Sequence, residues 1–315
     1  PMPIPAPIAA PMAEPGWLWI ALTVWAAFAQ TLRNTAQRSL TASLGTLGAT
    51  LVRFLYGLPF ALAWLAIVHA WRAEAIPSPS WVFLGWVTLG AVAQIAATAF
   101  LLAAMEARSF ALGVAYSKTE LLQIALFGLA FLGDPLSAPV LIAVACGTLG
   151  VLLLSPADSQ RPFAALLAGL GTRPALLGLA SGAGFAFAAV GYRGAALALE
   201  ASFLMSAATA LAAAQVIQTL LLGGWLLWRN PGVVSATLRL WRPSLFAGFM
   251  GAAASAGWFS AFALQSAAHV RTLGLVELLF SYAVSRKLFR ERMTRLELAG
   301  MAFLAAGIAV ITLTG

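Results

Sequence analysis

Four ionisable side chains lie in stretches of the sequence that are otherwise apolar: Arg53, Lys118, Glu120 and Glu277. A charge at the centre of a bilayer costs about 2.5–3.5 kcal/mol on insertion scales, so such residues almost always face a bundle interior or a wet cavity. An arginine can hold a carboxylate through two parallel N–H bonds, and a desolvated glutamate can bind an ammonium group or carry a proton. The alternative is a structural role, either as an ion pair between helices or as a base that reaches back to the interface.

Helix geometry separates two of these residues. Lys118 and Glu120 are two positions apart, so on a regular helix their side chains point in nearly opposite directions. Tyr116, Glu120 and Gln123 follow the i, i+4, i+7 spacing that forms one face of a helix. We therefore expect these three residues to line a cavity, with Lys118 directed to a neighbouring helix or admitted to the cavity by local unwinding.

The composition identifies the class of protein that must position these charges. The chain has 315 residues, of which 62% are hydrophobic and 9% are charged, against about 25% charged residues in ordinary soluble domains. Its mean hydropathy is +0.92. These values predict an all-α polytopic membrane protein whose immediate partner is the lipid bilayer. The net charge of +8 comes from bases in short loops, which is typical of membrane proteins, and we expect no nucleic-acid partner.

A span of about 20 apolar residues crosses the bilayer as a helix, and the sequence contains ten such stretches. Residues 1–16 form a Pro-rich tail that we expect to be disordered, and residues 156–173 form the loop that connects a first half (17–155) to a second half (174–315). The ten spans are about 17–36, 43–70, 80–104, 109–132, 137–155, 174–196, 201–228, 244–267, 270–289 and 295–314.

Five spans in each half would make the halves inverted repeats, an arrangement found in many secondary transporters. The tripeptide ELL occurs at residues 120–122 and again at 277–279, a shift of 157 positions. The further matches are Asp134 with Glu291 at the same shift, and Arg33 with Arg193 at a shift near 160. We therefore expect ten transmembrane helices, arranged as an inverted repeat of five plus five around a central cavity.

Polar residues in several spans are expected to line that cavity. In span two, Thr50 and Arg53 share a face, and Pro59 removes a backbone donor, which favours a kink that could act as a hinge. In span nine, Glu277 and Ser281 share a face. The remaining candidates are Gln94 in span three, Gln215 in span seven and Trp258 in span eight.

The distribution of Lys and Arg predicts the orientation. Loops after odd-numbered spans hold thirteen of the 18 basic residues, and the other loops hold three, namely Arg72, Arg193 and Arg271. This bias places the odd-numbered loops in the cytoplasm and both termini outside, in the inner (plasma) membrane of a bacterial-type cell.

The span pattern, together with an acid just past spans four and nine, resembles the drug/metabolite transporter superfamily, in its EamA-like branch. The resemblance lies in Gly133-Asp134 and Arg290-Glu291, where the family typically has Gly-Glu, and in VRFLYGLPFAL of span two. Asp134 and Arg290 depart from the family pattern. The resemblance implies eight helices around a cavity, with spans five and ten peripheral, and secondary transport of small metabolites, often export. It also implies cytoplasmic termini, which the charge count contradicts.

The residues suit an alternating-access carrier of small polar metabolites such as amino acids. Arg53 would hold a substrate carboxylate, and Glu120 or Glu277 would bind the ammonium group or carry a coupling proton. Two alternatives are an organic-anion carrier, in which the acids only pair with the bases, and a non-transporting assembly or signalling subunit. The sequence contains no catalytic motif that indicates an enzyme. With one cysteine and two distant histidines, it predicts no disulfide, metal site or cofactor.

Overall fold

A computed structural model describes residues 15–106, 116–117, 119–154, 164, 172–280 and 295–314. Within these residues the regular structure is helical, with no β-strand. The helices are α1 (Leu18–Leu55), α2 (Leu58–Arg72), α3 (Trp81–Glu106), α4 (Glu120–Phe127), which continues as a π-helical turn (Gly128–Leu132), α5 (Ala138–Leu154), α6 (Arg173–Leu197), α7 (Phe203–Arg229), α8 (Pro231–Arg239), α9 (Trp241–Leu264), α10 (Ala267–Leu273) and α11 (Arg295–Thr314).

Several of these helices are suited to a membrane. Five stretches are long and apolar enough to cross one: Ala42–Arg72, Trp81–Leu101, Ala175–Leu197, Phe203–Arg229 and Trp241–Leu264. Shorter apolar helices cover Glu120–Leu132, Ala138–Leu153 and Leu298–Leu313. The five stretches are only 28% to 67% buried, so the fold exposes a large apolar surface, which soluble monomers rarely do. The prediction of an all-helical, multi-pass membrane protein is confirmed at this level.

Helix α1 is a helical hairpin that turns at Gly45. Gly45 has φ 64° and ψ 175°, whereas the residues around it are helical. Gln37 donates through Nε2 to the carbonyl of Ala49 at 2.7 Å, across twelve positions, which a straight helix would separate by about 18 Å. The sequence predicted a loop at about residues 37–42. That prediction is wrong by a few residues, because the helix continues to Leu44 and a single glycine makes the turn.

Span two contains the turn at Gly45 and a second interruption. The second lies in the region where Pro59 was expected to cause a kink. Helix α1 ends at Leu55, Tyr56 and Gly57 form a turn, and α2 begins at Leu58 with Pro59 in its first turn. Proline is favoured there because the first helical N–H groups have no partner inside the helix. Tyr56 and Gly57 keep right-handed helical dihedral angles, so both the kink and the motion of a hinge stay predictions.

The fourth and ninth spans are also interrupted, each just before its glutamate. Thr119 forms a turn, and α4 starts at Glu120. In span nine, α10 ends at Leu273, Gly274 and Leu275 form a turn, and residues 276–280 are helical again. The sequence left local unwinding of the fourth span open, and it did not predict the interruption of the ninth. Each glutamate lies in the first turn of a new helical segment.

Three long helix pairs dominate the packing: α3 with α6, α1 with α9, and α5 with α11. Small residues allow the close approach. A Cβ atom built onto Gly191 would lie 2.9 Å from the Cα of Gly90, between α3 and α6. A Cβ atom on Gly150 would lie 2.8 Å from the carbonyl oxygen of Gly300, between α5 and α11. Interfaces rich in small residues are typical of membrane helices, where van der Waals packing drives association.

The turn at Gly45 yields a stability prediction. Gly45→Ala should destabilise the protein by about 1–3 kcal/mol, because this backbone region is essentially restricted to glycine. A clash would not be the cause, since nothing lies within 4 Å of the position of the new Cβ. The measurement is thermal unfolding of the purified protein in detergent. The control is Gly224→Ala, a helical position that is equally open, where alanine should be neutral or stabilising. Equal shifts in both variants would contradict the prediction.

Candidate functional site

A polar cavity of about 340 Å³ lies between helices from both halves of the chain. Five charged side chains line it, three arginines and two glutamates. The first half contributes α1, α3 and α4, and the second half contributes α6, α9, α10 and the helical residues after the Gly274–Leu275 turn. The charged residues are Arg33, Arg53, Arg271, Glu120 and Glu277, and the principal polar and aromatic residues are Gln30, Asn34, Gln94, Tyr192, Trp258 and Phe262.

One glutamate of the cavity is held by an arginine of the opposite half. Arg271 of α10 donates from Nη2 to Oε1 of Glu120. The guanidinium carbon of Arg271 also lies 5.2 Å from the ring centre of Trp258, a cation–π distance. Glu120 is buried in the first turn of α4, where the helix dipole favours a negative charge. This pair therefore joins the two halves, and its positive and negative charges neutralise each other.

The second glutamate is held by amides instead. Gln30 donates to Oε2 of Glu277 at 2.6 Å, and Asn34 donates to Oε1 at 2.9 Å. Gln30 in turn accepts from the indole N–H of Trp258 at 3.1 Å. Among the described side chains, no cation forms a salt bridge with Glu277. Its negative charge is thus hydrogen-bonded within the cavity but is not neutralised by a direct contact.

The two remaining arginines have buried N–H groups without acceptors. Arg33 is 6% exposed, and Nε and Nη2 donate to Oδ1 of Asn34 at 3.2 and 2.7 Å. Within the described part of the chain, Nη1 of Arg33 has no hydrogen-bond partner, and neither has Nε of Arg53. The two salt bridges within the described part of the chain use Arg271 and Arg193, so neither Arg33 nor Arg53 is paired with a carboxylate there.

A cluster of neutral polar residues forms another part of the wall. Gln218 donates to Oε1 of Gln94 at 2.6 Å and to the hydroxyl of Tyr192 at 2.9 Å, and the hydroxyl of Tyr192 donates to Oε1 of Gln94 at 2.9 Å. The three residues belong to α7, α3 and α6. Because the Tyr192 hydroxyl is hydrogen-bonded to both glutamines, this cluster fixes the position of the Tyr192 ring, which lines the cavity.

Arg193 ties together three elements beside the cavity. Its guanidinium donates to both carboxylate oxygens of Asp134, at 3.0 to 3.2 Å. Nη1 donates to the carbonyls of Phe262 and Gln265 at 2.8 and 2.5 Å, at the end of α9. Asp134 follows Gly133, whose φ of 68° ends the π-helical turn. The pair is mostly buried, with 13% and 12% of the side chains exposed.

His269 lies near this ion pair, at the start of α10. Its Nδ1 is 2.7 Å from the hydroxyl of Ser266. Burial lowers the pKa of His269, and the carboxylate of Asp134 opposes that shift. The imidazole is therefore neutral at pH 7 and adds no charge beside Arg193.

The structure brings together five of the residues that the sequence predicted for the cavity. Arg53, Gln94, Glu120, Trp258 and Glu277 all line it. Their role in binding a substrate stays a prediction.

The other predicted residues lie elsewhere. Tyr116 is buried, Gln123 donates to the hydroxyl of Thr119 at 2.9 Å, and Gln215 lies against Gly57 at the break in span two. None of these three lines the cavity. For Tyr116 and Gln123 the turn at Thr119 interrupts the helix face that was assumed. Ser281 and Lys118 lie outside the described residues.

Two arginines of the cavity were assigned to loops by the charge count. Arg33 and Arg271 line the cavity, and Arg193, which was also counted, forms the buried pair with Asp134. Hydropathy alone places these residues at span ends. A signal was present for Arg33, since Gln30, Arg33 and Asn34 share a helix face at i, i+3 and i+4 spacing.

A second cavity is larger, at about 600 Å³, but is chemically different. It is lined mostly by apolar residues of α1, α2, α7 and α9, including Trp25 and Trp71, which are 47% and 72% exposed. It is a groove in the apolar outer surface. The polar cavity is the better candidate site, because it contains buried charges. Such charges are retained in a membrane protein where they serve a function.

The Arg193–Asp134 pair yields a second stability prediction. Asp134→Asn should destabilise the protein by about 3 kcal/mol, because it leaves a mostly buried guanidinium without its carboxylate. Thermal unfolding in detergent measures the effect. Glu200→Gln is the matched control, since Glu200 is exposed. An unfolding midpoint for Asp134→Asn that equals the control would show that the pair adds no stability.

Comparison with known proteins gives the fold but no family. No family model matches the chain, and no curated protein matches it. Chains of solved structures do match, 27 in all. One is a protein of known crystal structure, with a TM-score of 0.71 and 16% sequence identity, over 94% of this chain and 96% of that chain. At this identity the likeness shows that the two proteins share a fold, and nothing about activity.

Proposed function

We propose that this protein is a secondary active transporter that moves small polar metabolites, such as amino acids, across the plasma membrane by alternating access. The observation that carries the proposal is the charged cavity. Five ionisable side chains from both halves of the chain meet in about 340 Å³ among apolar helices. Charges inside membrane helices are expensive and mark the paths of substrates and ions.

The proposed architecture is ten spans in two inverted halves. Exchange of the halves maps span one onto span six and span three onto span eight. Span one meets span eight where a Cβ atom on Gly257 of α9 would lie 3.0 Å from the carbonyl oxygen of Leu22 in α1. The contact of α3 with α6 joins spans three and six, so the two contacts are equivalent under this exchange. The contact of α5 with α11 maps onto itself. This pattern of packing supports the inverted repeat.

The broken helices support the same proposal. The breaks at Thr119 and at Gly274–Leu275 lie just before Glu120 and Glu277, which correspond at the shift of 157. Transporters with inverted repeats form their sites from discontinuous helices, whose segment ends face the substrate and coupling ions. A duplicated break beside a duplicated acid is what a site shared by two repeats requires.

The proposed roles follow from the contacts. Arg53 binds the carboxylate of the substrate, since its Nε has no acceptor among the described residues. Glu277 carries a coupling proton, since it forms no salt bridge with the described cations. Glu120 is already paired with Arg271 and is the weaker candidate. Export is the direction that the family resemblance implies.

A transport assay tests the proposal. Liposomes that contain the purified protein should accumulate labelled metabolites bearing a carboxylate. Amino acids and organic acids are tested, each with and without a pH gradient. Glu277→Gln should slow transport by about 10-fold or more, the scale of a lost hydrogen bond to a charged group. Glu200→Gln, at an exposed carboxylate, should transport normally. The proposal fails if the wild-type protein moves none of these solutes.

The orientation of the chain in the membrane can be tested with residues that the structure describes. With Arg33, Arg193 and Arg271 removed from the loop count, the bias strengthens to twelve basic residues against one. In a Cys146→Ser background, Ser78→Cys should react with a membrane-impermeant maleimide on intact cells. Ser235→Cys should react only after permeabilisation. Both serines are exposed, so access alone should decide the outcome, and the reverse pattern would place the odd-numbered loops outside.

A further inference from the structure

We propose that Arg33 and Arg53 together form an anion-binding subsite, and that the substrate is a small organic monoanion: a carboxylate with an apolar body and no ammonium group. The inference deepens the transporter proposal and rests on it for the meaning of the site. It adds Arg33, which the sequence assigned to a loop, and it chooses between the zwitterionic and anionic classes of substrate.

The two arginine side chains meet at one point of the cavity wall. A Cβ atom built onto Gly251 of α9 would lie 3.4 Å from Cδ of Arg33 and 3.4 Å from Cγ of Arg53. The two residues are twenty positions apart in α1, which is about 30 Å in a straight helix. The hairpin at Gly45 therefore folds the chain so that the aliphatic parts of both arginine side chains lie near Gly251, and both side chains line the same cavity.

This convergence is only partly offset within the described residues, because the carboxylate of Glu277 is joined to Arg33 only through Asn34. Like charges repel, and the repulsion grows as water is excluded. Arg33 is 6% exposed and Nη1 has no acceptor, while Nε of Arg53 is also buried without one. A buried donor left without a partner costs about 1–3 kcal/mol, and more in a charged group. An oxyanion between the two side chains would accept from both and remove the repulsion.

The charge balance of the cavity indicates how many negative charges the ligand carries. Its lining contains three arginines and two glutamates, which leaves one positive charge in excess. A monoanion makes the described lining neutral, whereas a zwitterion leaves the excess in place. Neutrality is favoured because a net charge among apolar helices is costly.

The glutamates offer no ready site for an ammonium group. Glu120 is bound by Arg271. Both carboxylate oxygens of Glu277 already accept hydrogen bonds, from Gln30 and Asn34. The rest of the wall suits an apolar body, with aromatic rings from Phe185, Phe259 and others. These contacts select a carboxylate over its amino-acid counterpart.

Three matched probes test the class of ligand. They share a phenyl body: 3-phenylpropionate has only a carboxylate, phenylalanine has both charges, and 2-phenylethylamine has only an ammonium group. Binding to the full-length protein in detergent is measured by calorimetry and thermal shift. We expect 3-phenylpropionate to bind at least about 10-fold more tightly than phenylalanine, and the amine not to bind. Equal or tighter binding of phenylalanine, or no binding of 3-phenylpropionate, would overturn the inference.

Variants then test the two arginines. Arg33→Gln and Arg53→Gln should each weaken 3-phenylpropionate binding by about 10- to 100-fold. Arg239→Gln, at an exposed position in α8, should leave binding unchanged. Unchanged affinity in both cavity variants would refute the subsite. If a variant does not fold, the probe series on the wild-type protein still decides the question.

Transport in liposomes separates this inference from the proposed function. If 3-phenylpropionate binds in an Arg33- and Arg53-dependent way but neither it nor any of the amino acids and organic acids is carried, the anion subsite stands and the transporter proposal fails. If phenylalanine is carried while 3-phenylpropionate neither binds nor is carried, the transporter proposal stands and the anion subsite is refuted.

Discussion

The interior of this protein is constrained by one rule: a charge placed among apolar helices must be met by an opposite charge or by hydrogen bonds. Four unpaired charges at mid-bilayer would cost on the order of 10 kcal/mol, comparable to the whole stability of a typical domain. Two ion pairs reduce that cost, Arg271 with Glu120 and Arg193 with Asp134. Each crosses between the halves, so the rule also holds the halves together.

The rule is satisfied unequally in the two halves. Arg33 and Arg193 occupy corresponding places in the sequence. Arg193 has a carboxylate and two backbone carbonyls as partners, whereas Arg33 has one amide oxygen and a free Nη1. If the halves are the proposed inverted repeats, unequal environments at related positions are what alternating access predicts for a single conformation, since the two sides of the site must differ at any moment. Under the transporter proposal, the unmet charge at Arg33 is the place that a substrate would complete.

The sequence predicted the apolar helices well, because composition and span length determine them directly. The sequence also predicted that Arg53, Glu120 and Glu277 would line one cavity, because charged side chains within the apolar part of a bilayer must face water or polar groups. The sequence did not predict that Arg33 and Arg271 line the cavity. A hydropathy window treats an arginine near a span end as a loop residue, and it does not detect a one-glycine hairpin that returns Arg33 beside Arg53. Predictions based on helix faces also assumed regular helices.

The helix breaks explain why those predictions failed and why the site exists. Arg271 and Glu277 both line the cavity, yet they are six residues apart, so on a regular helix their side chains would point about 120° apart. The turn at Gly274–Leu275 removes that restriction. It also places Glu277 in the first turn of a new helical segment, where a negative charge is stabilised by about 0.3–1 kcal/mol. Gly274 leaves room for Trp258, since a Cβ atom there would lie 2.5 Å from the indole ring. A single turn thus brings a cation, an anion and an aromatic ring to one cavity, which no uninterrupted helix of this sequence could do.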